Sequence, residues 1–362
     1  MGKSASGRVA GIDVARALAA LIMLQGHATD GWVRPEHEDA VFRASRFLGT
    51  FPLPAFLLLA GTSVAWRVAI GEERGESPRK IGRALTRRGL GLVLTGYVVS
   101  FAFALMDGAT AEFLPTLLRA DVLHVIGASI ALAGALVPAR ADFASSFVRR
   151  SVAFGIGVTI LCPLLPAFDL PLPAAALVGV FVDAAPVTRM PLVPLFAWFA
   201  AGALCTSFMR GGATSPFAQV AGTTKKRLAV LAIIASGAAA VGWNGMNTLH
   251  EAFGGTLSRQ HIAIVANVLD LAGRGALVLV VGAALAPFLS ARVRFHLVLL
   301  GRGSLTAYVV HLPFCYGRLG SPLRASLTSA QAVLGILVLA MGTYVCVRVW
   351  PALREGILRR RS

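Results

Sequence analysis

Apolar runs of about twenty residues recur from one end of this 362-residue chain to the other. As a helix, each run is long enough to cross the ~30 Å hydrocarbon core of a bilayer. Hydrophobic residues make up 56% of the sequence and charged residues only 14%, whereas a soluble domain carries about 25% charge. The sequence therefore predicts an all-α, polytopic bundle in the lipid bilayer, with residues 1–362 forming one membrane domain.

The hydropathy pattern predicts ten membrane spans. Their expected bounds are 9–28, 47–69, 88–106, 120–138, 151–168, 191–209, 228–246, 262–287, 297–316 and 329–349. With the N-terminus placed in the cytoplasm, twenty-one basic residues fall on the cytoplasmic side and eight in the opposite loops. The positive-inside rule therefore predicts that both termini are cytoplasmic.

Several functional classes are disfavoured by the pattern. The net charge of +17 could indicate nucleic-acid binding, but the basic residues lie between apolar spans, so no nucleic-acid partner is expected. The spans contain no His-x-x-x-His pair, and the chain has no Walker loop and no Gly-x-Ser-x-Gly elbow. These absences disfavour a metalloprotease, a primary pump and a serine hydrolase, and we expect no metal site.

The first span carries an ionisable row. Arg16 and His27 are eleven residues apart, which places them on nearly the same helix face, roughly 16 Å apart along the axis. Asp13 precedes Arg16 by three residues and joins that face, and Asp30 lies one turn beyond His27. Ionisable groups in a span indicate function, and His27 is suited to act as a general base. Asp30 could either orient its imidazole or help to bind an acceptor.

A second histidine is an alternative base. His37 lies between Glu36 and Glu38 in the loop that follows the first span. Neighbouring carboxylates favour the charged form of an imidazole, although a solvated loop histidine would look the same. The sequence leaves the choice between His27 and His37 open.

The loop before the third span is the most basic region of the chain. Arg83 and Arg87 belong to this cluster. The cluster is partly topological charge, but it would also suit a phosphorylated cofactor such as coenzyme A, because Arg and Lys clamp phosphates.

Polar pairs in three other spans are candidate walls of an aqueous tunnel. Asp121 with His124, and Asp270 with Arg274, have helical spacings that place each pair on one face, and Ser304, Tyr308 and His311 form one polar stripe. The pair of Asp270 and Arg274 could also be only a structural latch between helices. The tunnel candidates are His124, Asp121, Asp270, Arg274, Tyr308 and His311.

The second span combines helix breakers with small residues. Pro52 and Pro54 are expected to break or bend its beginning. Gly61, followed by Thr62 and Ser63, is expected to let neighbouring helices approach closely.

Four segments together resemble the transmembrane acyltransferase superfamily, and within it bacterial members of the heparan-alpha-glucosaminide N-acetyltransferase catalytic-domain family. These segments are IDVARALAALIMLQGHATD, SRFLGTFPLPAFLLLAGTSVAW, RADVLHVIGAS and GRGSLTAYVVHLPF. The spacing from Arg16 to His27 also resembles the related acyltransferase-three family, which modifies envelope sugars. One departure is Gly26, where bacterial relatives often have an acidic residue.

The resemblance implies transfer of an acyl group, commonly acetyl, from cytoplasmic acyl-CoA to an extracytoplasmic acceptor such as a carbohydrate. It implies that His27 is the reactive histidine, either as a base or as a transiently acylated group, and that Arg16 is its cofactor-side partner. Charge and position make Asp13, Arg83 and Arg87 further cofactor-binding candidates. His37 could instead match the reactive loop histidine of animal relatives. A bacterial inner-membrane location and a homodimer are further expectations.

Two other functions are alternatives to an acyltransferase. A transporter or flippase of a lipid or small anion would use the charged row as a substrate path. A non-catalytic membrane scaffold is the third alternative, but it gives no reason for polar residues to concentrate on four of the spans.

Overall fold

The computed structural model describes residues 9–108, 114–165, 168–185, 190–210, 224–253 and 258–359, and these are mostly helical. The helices are α1 (Ala10–Trp32), α2 (Ala40–Leu48), α3 (Pro52–Glu73), α4 (Pro78–Asp107), α5 (Leu114–Leu117), α6 (Val122–Leu136), α7 (Phe143–Leu161), α8 (Leu172–Val178), α9 (Leu192–Arg210), α10 (Thr224–Phe253), α11 (Arg259–Leu285), α12 (Ala291–Arg302), α13 (Ser304–Cys315) and α14 (Ser329–Arg359). Two short strands, β1 (Phe168–Asp169) and β2 (Ala184–Ala185), pair in parallel. The predicted all-α class is confirmed in its main feature. The chain ends, 1–8 and 360–362, lie outside the described residues.

Seven helical segments of the described chain are long and apolar enough to cross a membrane. They are Ala40–Glu73, Pro78–Met106, Phe143–Leu164, Leu192–Arg210, Thr224–Gly245, Arg259–Leu285 and Ser329–Trp350. The pair α12 and α13 passes the same test together as an eighth, bent by 72° between its two helices. The exposed apolar side chains of α14, among them Leu334, Leu337, Val338 and Met341, suit contact with lipid tails.

The other two predicted spans differ from this pattern for distinct physical reasons. α6 is apolar but has only 15 residues, which is short for ~30 Å of hydrocarbon. α1 has 23 residues, but Asp13 and Arg16 lower its hydropathy. Most of the α1 residues are buried by neighbouring helices, so their side chains are not selected for contact with lipid.

The chain divides into two compact units. The first comprises Met1–Pro52 and Val281–Ser362, and the second comprises Leu53–Val280.

In the first unit, α1 packs against α2, α12, α13 and α14. Close approach depends on glycines: a Cβ built on Gly301 would lie 1.9 Å from the carbonyl oxygen of Asp13, and one on Gly31 would lie 2.4 Å from that of Cys315. The indole Nε1 of Trp32 donates to the carbonyl of Phe314 at 2.9 Å. These contacts fix both ends of α1 against the bent helix pair.

We expect Gly301→Ala to destabilise the protein far more than Gly342→Ala, a matched glycine of α14 with open space at its Cβ. The added methyl at Gly301 would force α12 away from α1, and overpacking of this kind costs about 1–3 kcal/mol. Alanine in an open helical position instead stabilises by about 0.5–1 kcal/mol. Thermal unfolding of both variants in detergent measures the difference, and equal melting temperatures would contradict the close packing.

The second unit has a core of large aromatic and aliphatic side chains, including Phe147, Phe196 and Phe199. α4 packs along α6, and α7 packs along α9. α3 and α9 cross closely: the hydroxyl of Thr62 donates to the carbonyl of Gly202 at 3.1 Å, and a Cβ on Gly61 would lie 1.9 Å from the carbonyl oxygen of Phe199. The predicted close approach at Gly61 and Thr62 is confirmed. The predicted helix break is also confirmed, because α2 ends at Leu48 and α3 begins at Pro52.

Candidate functional site

The polar cluster of the first unit centres on two histidines from distant parts of the chain. The Nδ1 atom of His27, on α1, lies 2.8 Å from the Nε2 atom of His311, on α13. The two rings stack with centroids 5.1 Å apart and planes inclined by 24°. His311 is fully buried, whereas His27 is half-buried. His27 is therefore the more accessible member of a hydrogen-bonded histidine pair.

The buried ring of His311 is held from behind by its own helix. Its Nδ1 atom lies 2.8 Å from the carbonyl oxygen of Ala307, one turn earlier on α13. The ring of Tyr308 packs against it edge-on, with the centroids 6.0 Å apart. The predicted polar stripe of Tyr308 and His311 is thus placed directly behind His27.

An acidic and a phenolic group lie on the solvent-exposed side of His27. The ring of Tyr316 is 5.3 Å from that of His27, and its hydroxyl donates to the Asp30 carboxylate at 3.3 Å. Arg46, on α2, forms an ion pair with the same carboxylate. Asp30 is exposed, so a ligand can reach it from solvent. Asp30 contacts Tyr316 and Arg46, and its predicted role in orienting the imidazole of His27 stays a prediction.

A polar latch holds α2 beside the histidine pair. The Ser45 hydroxyl lies 2.6 Å from Oε1 of Gln25 and 2.8 Å from the Thr29 hydroxyl, both on α1. The Gln25 amide in turn donates to the Ser45 carbonyl at 3.2 Å. This latch sets the position of Arg46, one residue after Ser45.

A second charged cluster lies at the other end of α1. The Asp13 carboxylate is buried between two guanidiniums: Arg16 donates to Oδ1 at 3.0 Å, and Nε of Arg302 lies 3.4 Å from Oδ2. Arg302 ends α12, immediately before the bend. Nearly half of its side chain is exposed, and its described contacts use only Nε. The cluster carries one net positive charge and presents guanidinium groups to an anion.

Three of these residues were not singled out from sequence. Arg302 and Tyr316 contact residues 289 and 286 positions away in the chain, and Arg46 contacts Asp30 on a different helix. Spacing along one helix reveals none of these contacts. The one available signal was for Arg302, which lies between Gly301 and Gly303 within an otherwise apolar stretch.

His37, the alternative base, lies on an exposed 3-10 turn, Pro35–His37. Its backbone carbonyl accepts a hydrogen bond from the Ser329 hydroxyl at 3.0 Å, and no described hydrogen bond involves its ring. Nearby, the backbone N–H of Phe42 lowers the pKa of the Asp39 carboxyl, which caps α2. This cap is fully present above the ordinary carboxyl pKa and is lost as the pH falls through the lowered value.

In the second unit, Asp121 and His124 form a capping box at the start of α6. The Asp121 carboxylate accepts from the N–H of Val122 at 2.7 Å, and Nδ1 of His124 accepts from the N–H of Asp121 at 3.0 Å. His124 is buried, and its ring packs edge-on against Tyr97 with centroids 4.1 Å apart. Both residues thus cap the N-terminal end of α6. Their predicted role in a tunnel wall stays a prediction.

Asp270 and Arg274 form a two-point ion pair within α11. Nε and Nη2 of Arg274 lie 2.7 Å and 2.5 Å from the two carboxylate oxygens of Asp270. The guanidinium also lies over the ring of Trp243 on α10, 5.2 Å from its centroid. Because Arg274 on α11 contacts Trp243 on α10, the geometry supports the predicted structural link between two helices. A tunnel role for Asp270 and Arg274 also stays a prediction.

Arg83 and Arg87 are one turn apart on α4, and both are exposed. No described ion pair or hydrogen bond involves either guanidinium. They are available to an anion, in a different unit from Arg16.

Comparison with known proteins identifies a family. The sequence model described as heparan-alpha-glucosaminide N-acetyltransferase, catalytic, matches residues 8–241, more than half of the chain. No curated protein matches the chain. The matched range contains Asp13, Arg16, His27 and Asp30 and ends before α11, so His311 and Arg302 lie outside it. The chain belongs to the heparan-alpha-glucosaminide N-acetyltransferase catalytic family, which suggests a membrane N-acetyltransferase.

Proposed function

We propose that this protein is a membrane-embedded acyltransferase that moves an acetyl group from cytoplasmic acyl-CoA to an extracytoplasmic acceptor. The acceptor class is a sugar or glycan that offers an amine or hydroxyl. The observation that carries the proposal is the placement of a guanidinium cluster and a histidine pair at opposite ends of α1. Residues 1–362 act as one domain in the bacterial inner membrane, with ten crossings and both termini inside.

The guanidinium cluster is the proposed donor site. Arg16 and Arg302 share Asp13, which orients them and leaves one net positive charge. The donor carries phosphates, which guanidinium forks bind well. The flexible arm between these phosphates and the thioester suits the roughly 16 Å that separates Arg16 from His27 along α1. Arg83 and Arg87 are proposed as additional phosphate contacts.

His27 is the proposed general base. Its neutral ring takes the proton as the acceptor nitrogen or oxygen bonds to the thioester carbonyl carbon. The carbon–sulfur bond then breaks, and His27 returns the proton to the thiolate of the departing coenzyme A. The products are the acetylated acceptor and free coenzyme A, and His27 is regenerated neutral. His27 is preferred to His37 because it has a defined hydrogen-bond partner and partial burial.

Asp30, Tyr316 and Arg46 form the proposed acceptor site. The exposed Asp30 carboxylate can accept hydrogen bonds from sugar hydroxyls or an ammonium group, while Tyr316 and Arg46 hold it in place. Tyr308 and His311 form the wall behind His27. We also propose that His124, Asp121, Asp270 and Arg274 face the substrate path in the second unit.

The decisive test uses the full chain reconstituted in vesicles with radiolabelled acetyl-CoA and an amino sugar on opposite sides. We expect labelled sugar to form on the acceptor side, with one coenzyme A thiol released per product. Sugar movement without thiol release would favour the transporter. Neither product nor movement, in vesicles shown to hold folded protein, would contradict both.

A further inference from the structure

We propose that His311 is a positioning residue that fixes which nitrogen of His27 carries the proton, so that the basic nitrogen is Nε2. The inference rests on the proposed acyltransferase function only for its kinetic consequence. The assignment itself follows from the hydrogen bonds of the two rings.

The tautomer of His311 follows from its partner within α13. A backbone carbonyl only accepts hydrogen bonds, so the contact between Nδ1 of His311 and the Ala307 oxygen requires a proton on Nδ1. The ring is fully buried, and its described hydrogen-bond partners, which are the main chain at Ala307 and Tyr308 and the ring of His27, include no carboxylate. Burial without an opposite charge favours the neutral ring. A neutral ring protonated at Nδ1 has its lone pair on Nε2.

The tautomer of His27 then follows in turn. The Nε2 atom of His311 is an acceptor, so the 2.8 Å contact requires a proton on Nδ1 of His27. Neutral His27 therefore has its lone pair on Nε2, the ring position distal to the main chain. The side chain that sets the tautomer of a histidine is usually an oxygen acceptor, but here it is a second imidazole.

This arrangement also stabilises the charged state formed during transfer. When Nε2 of His27 takes the acceptor proton, the bond from Nδ1 to His311 becomes charge-assisted and strengthens. The gain appears as proton transfer develops and not when substrates bind. Loss of His311 should therefore lower kcat more than it changes the KM for the acyl-CoA donor or the KM for the acceptor.

The kinetic test compares three variants of His311. Glutamine can extend a carbonyl oxygen to the position of Nε2, whereas asparagine can reach Ala307 but not His27, and leucine provides neither contact. We expect His311→Asn and His311→Leu to lower kcat by about 10- to 100-fold with little change in either KM, and His311→Gln to restore most of the loss. Equal kcat in all three variants would overturn the positioning role.

A spectroscopic test needs no turnover. In protein with 15N-labelled imidazoles, the His27 resonances are assigned by their disappearance in His27→Asn. In the native protein we expect His27 to be protonated at Nδ1 and unprotonated at Nε2. In His311→Leu we expect a mixture of the two His27 tautomers. A proton on Nε2 of native His27 would overturn the inference whether or not acetyl transfer is observed. A protein with the expected tautomer but no transferase activity would instead contradict only the proposed function.

Discussion

Turnover is expected to fall by about 10²- to 10⁴-fold in His27→Asn, the range typical for loss of a general base. Asparagine can place an amide donor near the position of Nδ1, so it can keep the hydrogen bond to His311 while removing the basic nitrogen. The fold should therefore be retained and the chemistry lost. The measurement is kcat for labelled acetyl transfer, combined with thermal unfolding of the same preparation.

His37→Ala is the matched control for this prediction. The His37 ring is exposed, so its removal should leave kcat within about twofold of the native value, as expected for a surface change away from the chemistry. The reverse result, an active His27→Asn enzyme and an inactive His37→Ala enzyme, would move the base to the loop histidine.

The donor KM is expected to rise by roughly 10- to 100-fold in Arg302→Ala, with a smaller effect on kcat. A charge-assisted hydrogen bond is worth about 1.5–3 kcal/mol, and Arg302 has terminal nitrogens that its described contacts leave available for a phosphate. Arg302→Lys should recover only part of the affinity, because an ammonium keeps the charge but not the planar fork. Acetyl-CoA saturation curves measure the change.

Arg34→Ala is the control for Arg302. Arg34 follows the opposite end of α1 and donates to the Ser326 carbonyl, so removal of its charge should leave the donor KM nearly unchanged. A rise of similar size in both variants would indicate general electrostatic attraction to the positive surface and not a phosphate site at Arg302. An unchanged KM in Arg302→Ala would remove this arginine from the donor site.

The ionisable row on α1 was predictable because it is local. Helical periodicity alone places Asp13, Arg16 and His27 on nearly one face, and the structure shows a polar partner for each. The partners themselves were not predictable, because His27 and His311 are 284 residues apart in the chain. Only the packing of α13 on α1 brings the two rings together.

The interpretation of Asp121 and His124 shows how the same spacing has two physical causes. An i,i+3 pair shares a helix face, which suggested a site. The same spacing, at the start of an apolar run, is also that of a capping box, in which the third helical residue reaches back to the N-cap. Because Asp121 precedes the run and is preceded by a short turn, helix initiation was the more local explanation.

The span count shows a different limit of sequence reasoning. The apolar pattern counts both α1 and α14 as spans, but a helix that packs inside the bundle and carries polar residues has a lower hydropathy than one whose apolar side chains are exposed. α1 is such a helix, and the polar residues that lower its hydropathy are the ones that its neighbours bind. The bend between α12 and α13 lies at Gly303, and a glycine within a helical pattern does not by itself specify a bend or its angle.

That bend has a geometric consequence for the two sites. Arg302 and His311 are nine residues apart, so on an unbroken helix at about 100° per residue they would point in opposite directions. Asp13 and His27, fourteen residues apart, point about 40° from each other, so their partners must approach α1 from one side. The 72° change of direction after Arg302 lets a single chain segment meet both. Straightening it would separate the proposed donor site from the proposed general base without altering any reactive group.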